Sequence, residues 1–293
     1  MWKDYVAKIL YYPIKWMNIF NIRKIYKNKH FKNKLIELEI PLGNTLLISP
    51  HVDDEIIGMG GLLLQNREFN ENMDLIYLTD SSACKPINGV DMKITRAKEA
   101  KIMAKSLGIR SVKIIEAENN NVNKYTNMAI EQLEKYLKGK NYDKIFIVNP
   151  FDAHYEHRWS NYIFAKTIRN LNFNSDIYLY EASAFLPDSL INTYCKFSGK
   201  EKRELFKIFE SQKIGMDFDI FMQLNRHKGM AFDEESYVEF FSRLSIKEYE
   251  NMMDKIDDKM VEKLLPRRIA NHRTFYKVLR DNKNLEDIEG TFI

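Results

Sequence analysis

Two apolar runs, each closed by a proline and each followed at once by histidine and carboxylate side chains, constrain this chain more than any other feature. The first, TLLISP at residues 45–50, is preceded by Gly43-Asn44 and reads as a short buried strand. The second, KIFIVNP at residues 144–150, has the same form. His51, Asp53, Asp54 and Glu55 leave the C-terminal end of the first run, and His154, Glu156 and His157 leave that of the second. Gly58, Gly60 and Gly61 accompany a helix expected over residues 59–66, where small residues let a backbone pack closely on a sheet. Ligands of open α/β sheets bind in the crevice at the carboxyl ends of the strands. If the two runs are parallel neighbours, their loops meet, and His51, Asp54 and His157 could surround one divalent ion. Two imidazoles and a carboxylate, with a position left for water, is a composition catalytic zinc favours.

The rest of the chain fits that frame. Residues 74–80, 112–117 and 177–182 read as further strands, and residues 91–107, 123–137 and 158–170 as helices, the first of these stopping at Gly108. Alternation of strand and helix is the sign of a parallel sheet built from right-handed crossovers. Residues 34–40 form a first short strand or a lead-in. Beyond residue 182 the alternation stops: residues 200–221 read as one long helix, 235–244 as helix or strand, 246–263 as a charged helix, and 274–281 as a last helix after Pro266-Arg267-Arg268. The expected fold class is α/β, a Rossmann-like, mostly parallel sheet flanked by helices, with helical N- and C-terminal additions. The expected division is a basic amphipathic segment at 1–34, a core domain at 35–245 and a helical extension at 246–293.

A chain of 293 residues that is 45% hydrophobic can bury a substantial core. Cys84 and Cys195 lie far apart and belong to no metal spacing, which favours a reducing, cytoplasmic setting. The net charge of +4 is uneven: residues 1–34 hold nine Lys or Arg against Asp4 alone, so the remainder is net −4. With the net positive charge confined to that segment, nucleic acid is not an expected partner. Residues 2–20 are rich in Trp, Tyr, Ile and Leu, but Lys3, Lys8, Lys15 and Pro13 argue against a membrane span, and no small-residue cleavage site follows. Trp2, Val6, Ile9 and Leu10, then Trp16, Met17 and Phe20, make an apolar side. That side is expected either to dock on an anionic membrane surface, such as the inner face of the cell membrane, or to pack on the protein's own body.

At its two histidine motifs the chain is similar to the PIG-L (LmbE-like) family of zinc-dependent de-N-acetylases, which act on N-acetylated amino sugars and their glycosides. His51-Val52-Asp53-Asp54-Glu55 with Gly60-Gly61 resembles the family's His-Pro-Asp-Asp-Glu motif, and His154-Tyr155-Glu156-His157 its His-Pro-Asp-His motif. Thr79-Asp80, Arg96-x-x-Glu99 with Leu107-Gly108, Ser211-Gln212 and Arg226-His227-Lys228-Gly229 resemble further family elements, in the right order over residues 44–242. Val52 and Tyr155 replace loop-stiffening prolines, and Glu156 is one methylene longer than the family's aspartate, so any bond it makes is rearranged. The resemblance implies one zinc ion per chain, Asp53 as general base, His154 as an imidazolium at the oxyanion and Arg96 near an amino-sugar substrate. Glu55 is expected to orient the loop. Acetate and a free amine are the implied products.

Each of these groups also has an ordinary reading. Asp53, Asp54 and Glu55 suit a solvated helix start, Arg96 and Glu99 an exposed ion pair, Asp80 and Glu181 polar strand ends, and His227 and His272 plain surface positions. Two functional alternatives accompany the hydrolase. A nucleotide-binding Rossmann module is disfavoured by the Gly58-x-Gly60-Gly61 spacing and by the acidic loop. The other is an inactive, membrane-associated binding protein.

Overall fold

The computed structural model describes residues 2–27, 29–87, 89–171, 173–232, 235–281, 284 and 288–290. One open sheet is built from β1 (Ile36–Glu37), β2 (Thr45–Ser49), β3 (Met73–Tyr77), β4 (Ser111–Ile114), β5 (Lys144–Val148), β6 (Asp176–Tyr180), β7 (Thr193–Phe197) and β8 (Tyr237–Ser245), in the order β1-β7-β8-β6-β5-β2-β3-β4. From β6 to β4 every pairing is parallel, while β8 runs antiparallel to β6 and β7. The helices are α1 (Trp2–Tyr26), α2 (Asp54–Gln65), α3 (Met92–Leu107), α4 (Thr126–Leu137), α5 (Tyr155–Ile168), α6 (Gly199–Leu205), α7 (Phe218–Lys228), α8 (Ile246–Lys255), α9 (Asp258–Leu264) and α10 (His272–Asp281).

The expected sheet is therefore present, with its switch point where the two histidine motifs require it. The chain moves outward from β2 through β3 to β4, then returns through α4 to β5 on the other side of β2. Thr45 pairs with Lys144 and Ile48 with Ile147, in parallel, so the carboxyl ends of β2 and β5 open side by side. Leu46, Leu47, Ile48, Ile145, Phe146 and Ile147 are fully buried, which is why both runs are continuously apolar.

Several boundaries differ from expectation, each for a local reason. α2 starts at Asp54 rather than residue 59, placing Asp54 and Glu55 in a first turn that favours carboxylates. α5 starts at Tyr155, so His157 stands on a helix and His154 caps it, its Nδ1 accepting from the Glu156 amide at 3.3 Å. The long helix expected over 200–221 is α6, two 3-10 turns and then α7, broken at Phe209, whose fully buried ring takes the backbone to φ −90°, ψ 55°. The charged helix expected over 246–263 is interrupted where Asp257 caps α9. β7 forms where no strand is expected, and the ambiguous 235–244 stretch is the strand β8.

Helix α2 is kinked at Met59 (φ −143°, ψ 20°). The Ile57 carbonyl and Gly61 amide, bonded to each other in a regular helix, have other partners: Lys202 Nζ donates to Ile57 O at 2.8 Å, and Gly61 N donates to Glu239 Oε1 at 2.9 Å. Leu62 N donates to the other Glu239 oxygen, and Lys202 and Glu239 pair at 2.6 Å with both side chains fully buried. Side chains inserted into the hydrogen-bond ladder are a recognised cause of a kink. The helix also lies very close to the sheet: a Cβ at Gly58 would fall 2.2 Å from the Tyr180 ring, and one at Gly61 2.3 Å from Phe197.

α1 packs against α7 and α10 through a side different from the one expected. Ile22 and Tyr26 are buried, Asn18 donates to the His272 carbonyl at 2.7 Å, Tyr11 donates to Asp217 at 3.1 Å and Lys15 pairs with Asp219 at 2.5 Å. Leu10, Trp16, Met17 and Phe20 point outward; the side chains of Trp2, Val6 and Ile9 lie outside the described residues. His272 and His227 are buried rather than surface residues, because one meets α1 and the other bonds back to the Gln223 carbonyl of its own helix. No helix among the described residues is long and apolar enough to cross a membrane.

Candidate functional site

The loops after β2 and β5 and the first turns of the helices that follow them bring His51, Asp54, His154 and His157 together. Asp54 Oδ2 lies 3.0 Å from His51 Nδ1 and 3.2 Å from His157 Nε2. The other nitrogen of each ring is held by a different carboxylate: His157 Nδ1 meets Asp152 Oδ2 at 2.9 Å, and His51 Nε2 meets Glu156. Each ring thus has one nitrogen on an outer carboxylate and the other facing the same Asp54 oxygen; with a cation at that point the outer carboxylate, which can only accept, would keep the ring proton and leave the inner nitrogen as the ligand atom. This carboxylate–imidazole pairing is the arrangement that orients histidines as metal ligands. The His157 Nε2 atom is buried and, although 3.2 Å from Asp54, is not aligned for a hydrogen bond with it, as suits a ligand atom. One ring nitrogen from each of His51, His154 and His157 also falls within 4.8 Å of the other two. The donor set fits a divalent ion.

Charge in the cluster is strongly redistributed. Burial disfavours the His51 imidazolium, but Asp54 and Glu156 outweigh it and lift the group to about 9. Burial likewise opposes charge on His157, and Asp54 and Asp152 raise it to about 10. Asp54, between the two rings, is held well below the usual carboxylate range by them despite its burial. His154 moves the other way: burial, then His51, His157 and Arg268, press its pKa down. The imidazolium expected at His154 is therefore not favoured. With Nδ1 occupied as an acceptor by the Glu156 amide, the neutral ring carries its proton on Nε2.

Asp53 caps α2 at φ 129°, a left-handed conformation strained for any residue but glycine. Its Oδ2 is buried without a hydrogen-bond partner among the described residues, and burial, then Asp54 and Glu55, push its pKa well up. Glu55 holds this turn: its Oε2 accepts from the Asp53 amide at 3.1 Å and its Oε1 from Tyr77 at 2.8 Å. Arg96 faces the same cavity, its Nη1 3.4 Å from Ser81 and its Nε buried without a hydrogen-bond partner among the described residues. Glu99 does not pair with it, but accepts from the Ser211 amide and hydroxyl at 2.9 and 2.7 Å. Gln212 donates to the Val52 carbonyl at 2.6 Å, tying the 210–216 segment to the first histidine loop. Asp80 turns to Lys93 at 2.9 Å, and Glu181 pairs with Lys228; neither lines the cavity.

The cavity over these groups has a volume of about 530 Å³. Three of its features were not read from the sequence. Asp152 carries His157, which a strand-end aspartate five residues before a histidine could have suggested. Lys85 lines the same cavity as Arg96, and Arg268 lines the wall beside His154. Arg268 comes from the coil after Pro266, where the Ile269 amide donates to the Ser183 carbonyl at 2.7 Å, so only the tertiary fold brings it here.

Residues 46–168 match the model of the PIG-L family, described as GlcNAc-PI de-N-acetylase. No curated protein matches the chain in sequence. Among solved structures, an N,N'-diacetylchitobiose deacetylase from Pyrococcus horikoshii is similar at a TM-score of 0.60 and 19% identity, over 70% of this chain and 85% of its own. Dbv21, the A40926 pseudoaglycone deacetylase, is similar at 0.53 and 18%, over 69% and 98%. GalB, the 4-carboxy-2-hydroxymuconate hydratase of Pseudomonas putida KT2440, is similar at 0.55 and 14%, over 69% and 96%. At these identities the likeness is one of fold, and the fold carries more than one chemistry. The family likeness comes from the sequence itself: the match to the PIG-L model over residues 46–168 spans both histidine motifs.

Proposed function

We propose that the protein is a metal-dependent hydrolase that removes the N-acetyl group from an amino-sugar substrate and releases acetate. The observation that carries this reading is the convergence of two carboxylate-held imidazoles on one oxygen of Asp54. His51, Asp54 and His157 would hold the ion, with zinc the best fit to two imidazoles and a carboxylate. When bound, the ion supplies Lewis acidity toward an acetyl carbonyl and a water. Asp53, buried beside it with one unengaged oxygen, takes the proton from the attacking water and passes it to the departing amine. His154 donates from Nε2 to the oxygen of the tetrahedral centre as a neutral imidazole. Glu55 fixes the Asp53 turn, and Arg96 holds the sugar.

Lys85, Arg96 and Arg268 give the cavity cations on its walls. They support an amino sugar that carries an anionic group, such as a glycosyl phosphate, over a neutral oligosaccharide. The test is acetate release from N-acetylglucosamine 1-phosphate, a uridine diphosphate N-acetyl sugar and N,N'-diacetylchitobiose, using chelator-stripped and zinc-reloaded protein. Release that requires reloading and favours the phosphorylated sugars is expected. Stoichiometric zinc with no acetate from any substrate would leave the binding-protein alternative.

A further inference from the structure

We infer that α1 is a lipid-docking helix that seats the protein on an anionic membrane surface while its opposite side stays fastened to α7 and α10. At 3.6 residues per turn, Tyr12, Trp16, Phe20, Arg23, Lys24 and Lys27 fall within roughly 120° of the helix circumference, and Leu10 and Met17 extend that arc to about 160°. The residues of this arc are outward: Trp16 is 69% and Phe20 68% exposed, and Arg23, Lys24 and Lys27 are exposed beside them. The opposite arc holds Tyr11, Lys15, Asn18, Ile22 and Tyr26, whose contacts with the body are those already described. Docking and packing thus use different sides of one helix.

The occupant is set by charge together with the aromatic rings. From Tyr5 to Ile36 the sequence contains no acidic residue, so nothing on the exposed arc repels an anionic leaflet. Exposed Trp, Tyr and Phe flanked by Lys and Arg are suited to the headgroup region, where the rings enter the acyl boundary and the cations meet lipid phosphates. Being too basic and too polar to span, α1 would lie along the surface.

Its placement bears on the site. Tyr11 bonds Asp217, next to Met216 of the cavity wall, and the Asp217 amide donates to the Ala270 carbonyl at 2.8 Å, two residues from Arg268. Seating α1 brings that wall within about one helix diameter, ~10 Å, of the lipid. The contact itself stands on α1 alone. Its consequence, that the amino sugar is presented by a membrane lipid, rests on the deacetylase reading.

The test is co-sedimentation of the full chain with vesicles of phosphatidylcholine, with and without 30% phosphatidylserine, at low and high salt. Binding is expected to the anionic vesicles alone and to fall with salt. Each basic residue near the surface contributes about fivefold in partitioning, and each buried ring about tenfold or more. Trp16→Ser with Phe20→Ser should therefore weaken binding roughly a hundredfold, and Lys24→Glu with Lys27→Glu at least about twenty-fivefold. Both pairs alter exposed side chains, so melting temperature should hold. As a check that leaves the fold intact, quenching of tryptophan fluorescence by brominated lipid should fall in Trp16→Phe while sedimentation persists. No binding by the native chain, or undiminished binding in both double variants, overturns the inference. So does a native dimer that becomes a monomer in Trp16→Ser/Phe20→Ser and ignores vesicles. Acetate release from a soluble acetamido sugar should be unchanged in that variant. Vesicle binding without release from any substrate would remove the deacetylase reading and leave the contact standing.

Discussion

Replacing Lys202 with methionine tests whether the buried Lys202–Glu239 pair holds the kink in α2, and with it the first histidine loop. Lys202 Nζ lies 2.6 Å from Glu239, 2.8 Å from the Ile57 carbonyl and 2.9 Å from Asn225 Oδ1. Removing one partner of a buried ion pair leaves an uncompensated charge and costs about 3–5 kcal/mol. With an unfolding entropy near 2.1 cal/mol/K per residue, a chain of 293 residues has roughly 0.6 kcal/mol/K at its midpoint, so Lys202→Met should lower Tm by about 5–8 °C. An ordinary buried pair can be exchanged for apolar residues at little loss. Here Lys202→Met with Glu239→Leu should recover almost nothing, because Ile57 O and the Gly61 and Leu62 amides would lose their partners, each buried group costing about 1–3 kcal/mol. Differential scanning calorimetry of the two variants decides the matter, with zinc affinity as the second readout, since α2 carries Asp54 in its first turn. A double variant that melts at or above the parent would refute the argument, and the kink would then need another cause.

Three further outcomes follow from the site. Asp53→Asn keeps size but removes the base, so zinc content should persist while acetate release falls by about 10²–10⁴; normal turnover would move the role to another group. Asp152→Asn removes the charged acceptor behind His157, and calorimetric titration should show zinc affinity weakened about 10–100-fold, whereas an unchanged affinity would mean His157 needs no such support. Arg96→Ala should raise KM more than it lowers kcat, and a variant that loses only thermal stability would return Arg96 to a structural role.

Much of this architecture was legible because it rests on local patterns. A strand buried on both faces must be apolar throughout, so β2 and β5 announced themselves, and with them the crevice where His51 and His157 meet. Asp91 and Gly108 bracket α3 as cap and stop, its Asp91 side chain accepting from the Lys93 amide. What escaped was decided by tertiary contact. His154 is an unusual cap, so nothing local moved the start of α5 ahead of His157. The break at Phe209 has no glycine or proline beside it, Gly215 six residues on being compatible with a continuing helix, and the five residues of β7 alternate buried and half-buried positions, too short a pattern to stand out from coil. Lys202 and Glu239 look like solvated charges in sequence and become partners only when α6 and β8 meet. Arg268 reaches the cavity by a backbone bond to Ser183 that no spacing encodes.

The left-handed backbone at Asp53 sets the demands of stability against those of chemistry. Holding a non-glycine residue in such a conformation costs of order 1–3 kcal/mol, and burying its carboxyl among other acids adds to that. Glycine would relieve both at once. Selection for thermal resilience alone would therefore be expected to drift toward Asp53→Gly, giving a sturdier protein without its proposed base. That an aspartate occupies this turn is the sign of a constraint other than folding.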